Sequence, residues 1–237
     1  MINIEEIYHE YLLLESDKHK QKYEKYKGWF SASSAGSCHK KQWYKINGYD
    51  EIAPGIKPLR VMRLGTIVHK DMEKAINRYS TYHDLKYKIY TEHRIEVPEL
   101  KLVGHLDIAI DADKLHIYDL KTAHSFKWKK VFGRNIDPNP SVNYQLQLGT
   151  YGMGMVKQLD SDSEVELGII WYKKDDSMMK VQIIDSEWVD NAFFYWAELN
   201  ERLEEDGEPE VGSHNTPVYK WECKYCPYHK IHCEGVI

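Results

Sequence analysis

Apolar residues at Ile4, Ile7, Tyr8, Tyr11 and Leu12 recur at three- and four-residue spacing, predicting a helix from Ile4 to Tyr26 that ends at a turn on Gly28. The segment Ser31–Cys38 offers several N-cap residues ahead of a short basic-aromatic helix, and Pro54, Gly55 and Pro58 mark a loop. A longer helix follows over Leu59 to Tyr79, because Val61, Leu64, Val68, Met72 and Ile76 fall on one stripe. From Tyr87 the period drops to two. Tyr87–Val97, Leu102–Ile110 and Leu115–Lys121 read as consecutive strands, the last two a hairpin. A loop with Pro138 and Pro140 precedes a helix over Ser141 to Gln158, followed by strands at Val165–Lys173 and Met179–Ile184. An amphipathic helix over Glu187 to Glu205 closes the series, and the Pro-, Gly- and Cys-bearing tail should be irregular and held by its cysteines. Together these elements predict an α/β fold with a central mixed sheet flanked by helices.

Composition narrows the function classes. No run approaches the roughly 20 apolar residues that span a bilayer, so no membrane role is expected. The acidic start Met1-Ile2-Asn3-Ile4-Glu5-Glu6 lacks the features of a secretory signal, which places the chain in a reducing cytoplasm. Four cysteines in that compartment read as metal or cluster ligands rather than disulfides. The formal net charge of −5 argues against a protein that coats nucleic acid through bulk electrostatics. Local positive clusters remain at Lys18–Lys27, His39–Lys45, Lys127–Lys130 and Lys220–Lys230, and the nearby Trp43, Tyr44, Trp128 and Phe132 are candidates to stack on unpaired bases. The chain has no phosphate-binding glycine loop, which argues against a built-in motor.

The predicted hairpin carries the chemistry. A turn centred on Asp113 sets Asp107 opposite Asp119, where Cβ atoms stand about 4.5–5.5 Å apart and like charges destabilise the pair. A divalent cation compensates, since Mg²⁺ or Mn²⁺ takes oxygen ligands from one or two carboxylates. Strand alternation puts Lys121 on the face of Asp119 and turns Leu120 away. An ammonium beside the metal can orient water or neutralise charge on a phosphate.

At Gly104-x-x-Asp107 and Asp119-Leu120-Lys121-Thr122 the chain resembles the PD-(D/E)xK nuclease superfamily. Gly65-Thr66-Ile67-Val68-His69 matches the Gly-xxx-His element of its RecB-like branch, which implies a metal shell of His69, Asp107, Asp119 and the backbone carbonyl of Leu120. Gln147 and Tyr151, one helical turn apart, match the Gln-xxx-Tyr element and imply contacts to DNA or the active site. Glu92 lies near the start of the first strand, where many relatives carry an acid, and Glu96 competes for that role. The resemblance implies a restriction-endonuclease-like core and a Mg²⁺- or Mn²⁺-dependent exonuclease acting on single-stranded DNA or DNA ends.

Cys223-x2-Cys226-x6-Cys233, joined with distant Cys38, supplies four thiolates from both ends of the chain. A shared site would close a loop of about 185 residues. The arrangement is similar to the iron–sulfur nucleases of the RecB-like branch, among them the CRISPR-associated adaptation exonucleases and AddB-type nuclease domains, and implies a [4Fe-4S] cluster on Cys38, Cys223, Cys226 and Cys233. The last gap is six residues where the family has five, and His232 stands at the five-gap position. His229 and His232 keep zinc open as the alternative. The expected organisation is an N-terminal helical region over 1–58 with the first cysteine, a nuclease core over 59–206 and a cysteine-rich tail over 207–237, the tail and N-terminal region clipped together. Recombination or CRISPR-adaptation proteins are the partners the resemblance implies beside DNA.

Overall fold

Six strands form one mixed sheet in the computed structural model of the chain, which describes residues 2–134, 136, 142–211, 217 and 219–236. They are β1 (Phe30–Ser31), β2 (Lys88–Val97), β3 (Leu102–Asp111), β4 (Leu115–Ala123), β5 (Val165–Lys173) and β6 (Met179–Ile184). The helices are α1 (Ile4–Tyr23), α2 (His39–Ile46), α3 (Ile56–Tyr82), α4 (Ser125–Phe132), α5 (Val142–Leu159) and α6 (Trp188–Glu205). Pro138, Pro140 and Ser141, which bear on the predicted loop and helix start, lie outside the described residues.

The order is β1-β3-β4-β5-β6, with β2 on the other edge of β3. β2–β3, β3–β4 and β5–β6 run antiparallel, whereas β1–β3 and β4–β5 run parallel. One detail of register positions the site. The edge of β3 that faces β4 pairs with it only over Ile108–Asp111, and β1 takes the same strand at Leu102 and Val103. Residues 104–107 between them have no ladder partner on that edge among the described residues.

The main core lies between the sheet and α5 and α6, with Ile95, Leu102, Leu106, Ile117, Leu148, Met155, Leu167 and Trp196 buried in it. The segment ahead of residue 59 contributes Phe30, Ala32 and Ala35 to this core. On the opposite face Val68, Met72 and Ile76 of α3 pack on Ile108, Leu120 and Ile170. Two close approaches need glycine. A Cβ on Gly149 would collide with the backbone carbonyl of Trp188 where α5 meets α6, and one on Gly104 would sit 2.6 Å from Ala32 Cβ and 3.0 Å from the Tyr151 ring.

Several local expectations are corrected. The helix over Ile4–Tyr26 is α helical only to Tyr23 and ends in a 3-10 turn over Glu24–Tyr26. Its apolar stripe is mostly exposed, with Leu12 buried. α3 begins at Ile56, so Pro58 lies inside its first turn, where a missing N–H costs nothing because no intrahelical acceptor precedes it. None of the serines before α2 caps it; Cys38 is the N-cap residue. Ser34 and Ser37 instead donate to the carbonyls three residues earlier, at 2.6 and 2.7 Å, closing a compact turn. α4 and β1 lie outside the sequence expectation: the first is eight residues anchored by Trp128 and Val131, without the N-cap serines that mark α2 in the sequence, and the second is two residues, too short for a periodic signal. Among the described residues no helix is long and apolar enough to cross a membrane.

Candidate active site

The unladdered stretch of β3 ends at Asp107, and its carboxylate fills the opening. Oδ2 accepts the Leu120 N–H at 2.6 Å, a bond a neighbouring strand would otherwise take, and Oδ1 lies 3.1 Å from His69 Nδ1. In an extended strand the N–H and C=O of one residue leave by the same edge, so the Leu120 carbonyl also faces β3. His69 is carried by α3, which crosses this face with Gly65 over Thr122 of β4, 3.5 Å from its Oγ1 to a Cβ position.

Glu92 completes the group. His69, Glu92 and Asp107 each offer a ligand atom, all within 4.8 Å of one another. Register explains the meeting: Thr91 pairs with Ile108 and His93 with Leu106, leaving Glu92 opposite Asp107 and outside the ladder, with φ of +48°. A non-glycine residue in that region is strained, and such strain collects at functional sites. Glu96, the competing acid, is held elsewhere by Tyr26 and by Arg94 at 2.9 Å.

Asp119 stands next to this group but outside it, 1% exposed, with its carboxylate turned to Lys121 and Gln147. Lys121 Nζ is 2.7 Å from Asp119 Oδ2, an ion pair without hydrogen-bond geometry, so Oδ2 is a buried oxygen that accepts no hydrogen bond among the described residues. The same ammonium donates to Gln147 Oε1 at 2.8 Å and lies 4.8 Å from the ring centre of Tyr144, above which Lys127 Nζ also sits, at 5.2 Å. The Gln147 amide donates to the Tyr151 hydroxyl at 2.7 Å and reaches Asp119 Oδ1 at 3.4 Å. Leu120 points into the opposite, apolar face.

The electrostatics favour a cation. Burial, then the charge of Asp107, raises the Glu92 carboxyl above the usual range. Burial pushes Asp119 up to about 6, with Lys121 opposing and Asp107 adding to the rise. For Lys121 burial favours the neutral amine, but Asp119 and Asp107 outweigh it and the net shift is upward. His69 behaves likewise: burial lowers it, the hydrogen bond and charge of Asp107 raise it, and the balance is upward. Glu73, Glu92 and Asp107 line one small pocket with His69, and the nitrogen and oxygen donors of His69, Glu92 and Asp107, beside the buried Asp119 carboxylate, suit a divalent ion.

The four cysteines converge on a second pocket. Cys38, Cys223, Cys226 and Cys233 line it together with Lys40, Lys41, Glu222 and His229, and none is in a disulfide. His232 does not line it; its ring packs on Tyr44 and Tyr49, so the six-residue gap delivers Cys233. The tail is docked by more than its cysteines. Ile52 N–H donates to Pro227 O at 2.9 Å, the buried Tyr228 donates to Glu51 at 2.7 Å, and Cys38 N–H donates to Glu222 at 3.2 Å. Among the described residues, no three Cys, His, Asp or Glu side chains of this pocket bring ligand atoms within 4.8 Å.

The expected stacking aromatics are not available as a set. Tyr44 and Trp128 are buried, at 2% and 7% exposure, and Trp43 and Phe132 are half-buried against the core.

Comparison with known proteins places this geometry. The family model described as the PD-(D/E)XK nuclease superfamily matches residues 31–233. Three solved structures share the fold. The protein SSO0001 is 18% identical, with 98% of each chain covered and a TM-score of 0.59. A candidate exonuclease from Eubacterium rectale is 13% identical, with 92% of this chain and 95% of that one covered and a TM-score of 0.55. The alkaline exonuclease of Laribacter hongkongensis is 14% identical, with 79% and 93% covered and a TM-score of 0.51. Among curated proteins none matches significantly.

Proposed function

This chain belongs to the PD-(D/E)XK nuclease superfamily, and from that premise we propose that it is a divalent-metal-dependent deoxyribonuclease that degrades single-stranded DNA or DNA ends as an exonuclease. The observation that carries the reading is the meeting of His69, Glu92 and Asp107 within 4.8 Å, beside the Asp119–Lys121 ion pair. Fold neighbours named as exonucleases support the exonucleolytic part.

A divalent cation held at this site supplies Lewis-acid polarisation of the phosphate and eases deprotonation of water. His69, Glu92, Asp107, Asp119 and the Leu120 carbonyl are the groups we assign to hold it. The imidazole in the set favours Mn²⁺ over Mg²⁺, which prefers an all-oxygen shell. Lys121 orients the attacking water and neutralises charge that develops on the scissile phosphate. Asp119 and Gln147 aim its ammonium, and Tyr151 holds Gln147 in turn.

At the second pocket we assign Cys38, Cys223, Cys226 and Cys233 to a [4Fe-4S] cluster that joins residues 1–58 and the 207–237 tail beside a 59–206 nuclease core, as in the RecB-like branch. Zinc is the alternative at this pocket, which His229 also lines. The cellular setting we propose is recombination, repair or replication, with CRISPR adaptation among the settings the resemblance implies.

The test is degradation of end-labelled single-stranded DNA with Mg²⁺ or Mn²⁺ by wild type, Asp119→Ala and Lys121→Ala. Both variants should lose activity by about 10²–10³-fold. Equal rates in all three would remove the site.

A further inference from the structure

Helix α4 leaves the active strand after a single residue, His124, and carries three lysines and no acid in the sequence Ser125-Phe126-Lys127-Trp128-Lys129-Lys130-Val131-Phe132. The chain as a whole has a net charge of −5, so this concentration runs against its background. Trp128 and Val131 anchor one face of the helix in the core, which leaves Phe126, Lys129 and Lys130 on the exposed side and Lys127 half-buried at its edge. Lys180 of β6 extends the same positive field, lying 6.0 Å from the ring centre of Trp128 and 5.0 Å from that of Phe132. Asp175, at the helix start, accepts from the N–H and hydroxyl of Ser125, at 2.5 and 2.7 Å.

Two features tie this face to the candidate active site. The Tyr144 ring is shared by Lys121, at 4.8 Å, and Lys127, at 5.2 Å, so the basic face of α4 begins beside the ammonium of the candidate active site. Phe126 is 66% exposed, flanked by the His124 ring at 6.3 Å and by Lys130 Nζ at 5.2 Å from its ring centre. An open aromatic face amid lysines is the chemistry that holds unpaired bases, which stack on any π-face while cations follow the backbone.

We propose that α4 is the rail for the substrate strand next to the cleaved bond: Lys127, Lys129 and Lys130 take backbone phosphates and Phe126 stacks on an unpaired base. The assignment rests on the nuclease reading above and adds to it a preference for single strands with a structural source.

The test measures binding apart from cleavage. Fluorescence anisotropy of labelled single-stranded and duplex oligonucleotides in EDTA compares the full chain with Phe126→Ala, Phe126→Trp and the double variant Lys127→Gln/Lys130→Gln. Phe126→Ala should weaken single-strand binding about tenfold, the scale of one base–aromatic stack, leave duplex binding unchanged, and be rescued by Phe126→Trp. The double lysine variant should flatten the dependence of log affinity on log salt by about 1.4, from about 0.7 per phosphate contact on single strands. Unchanged single-strand affinity in Phe126→Ala together with an unchanged salt slope overturns the proposal, as does a wild type that binds neither oligonucleotide. A wild type that binds as expected yet degrades no DNA with any divalent metal overturns the nuclease reading and leaves α4 as a strand-binding face. Cleavage with wild-type binding in all variants does the reverse.

Discussion

Asp107 Oδ2 accepts the backbone N–H of Leu120 at 2.6 Å, at the point where the β3–β4 ladder stops. The bond does two things at once: it satisfies a backbone donor that strand separation would orphan, and it fixes the carboxylate 3.1 Å from His69. Because an amide oxygen can still accept from Leu120, Asp107→Asn should keep the fold while losing the charge. Mn²⁺ affinity, read by isothermal titration calorimetry, should fall at least about 10–100-fold in Asp107→Asn and in Glu92→Gln, the range known for disturbed metal ligation. Glu96→Gln should bind as wild type does, since Glu96 is tied to Tyr26 and Arg94. If Glu96→Gln were the variant that lost metal, the assignment of the first-strand acid would be reversed.

Gln147 holds Lys121 by one amide atom and Tyr151 by the other. Gln147→Leu leaves a buried ammonium and a buried hydroxyl each short of a partner, which should cost about 1–3 kcal/mol in denaturant unfolding and reduce turnover more than substrate affinity. Tyr151→Phe removes only an acceptor, so its effect should be smaller. A larger loss in Tyr151→Phe than in Gln147→Leu would mean that the tyrosine acts directly on DNA.

Acid sensitivity carries a sign. The Asp119 carboxyl titrates at about 6 in the fold against 3.8 as a free side chain, so between those values the folded chain binds more protons than the unfolded one. Stability of the metal-free protein should therefore fall as pH rises through that window, by at most about 3 kcal/mol at roughly 1.4 kcal/mol per unit. Urea unfolding in EDTA at several pH values should show a steeper decline in wild type than in Asp119→Asn, where the raised Glu92 carboxyl still contributes, and Mn²⁺ should restore wild-type stability at neutral pH. Parallel curves for the two proteins would show that the carboxyl is not strained by burial.

The cysteine pocket makes a visible prediction. Anaerobically purified protein should be brown with iron and sulfide bound, and Cys38→Ser or Cys226→Ser should bleach it and lower the melting temperature, because either change removes one of the thiolates that link the tail to the start of α2. A colourless protein with one zinc per chain would assign the pocket to zinc.

Much of this was legible in the chain because the signals are local. Period-two patterning located β2 to β4 within a few residues, since the alternation of faces is a property of the strand itself. The turn centred on Asp113 set the register that brings β3 and β4 together at Ile108 and Tyr118, and alternation put Lys121 beside Asp119. β1 was hidden because two residues are too few to repeat a period, α4 because its three lysines leave only about two turns of apolar positions to read, and Trp128 and Tyr44 looked like binding residues because sequence carries no burial.

Three choices were made only by the tertiary structure. Glu92 rather than Glu96 joins His69 and Asp107, through a left-handed backbone at Glu92 that alternation cannot foresee. Asp119 turns to Lys121 and Gln147, because α5 buries it where an ammonium is the available counter-charge. Cys233 rather than His232 reaches the cysteine pocket, because His232 packs on Tyr44 and Tyr49. Short-range order writes periodicity and spacing into the residues themselves; which of two nearby side chains faces a site depends on the distant element packed against it, and that is settled only when the layers close.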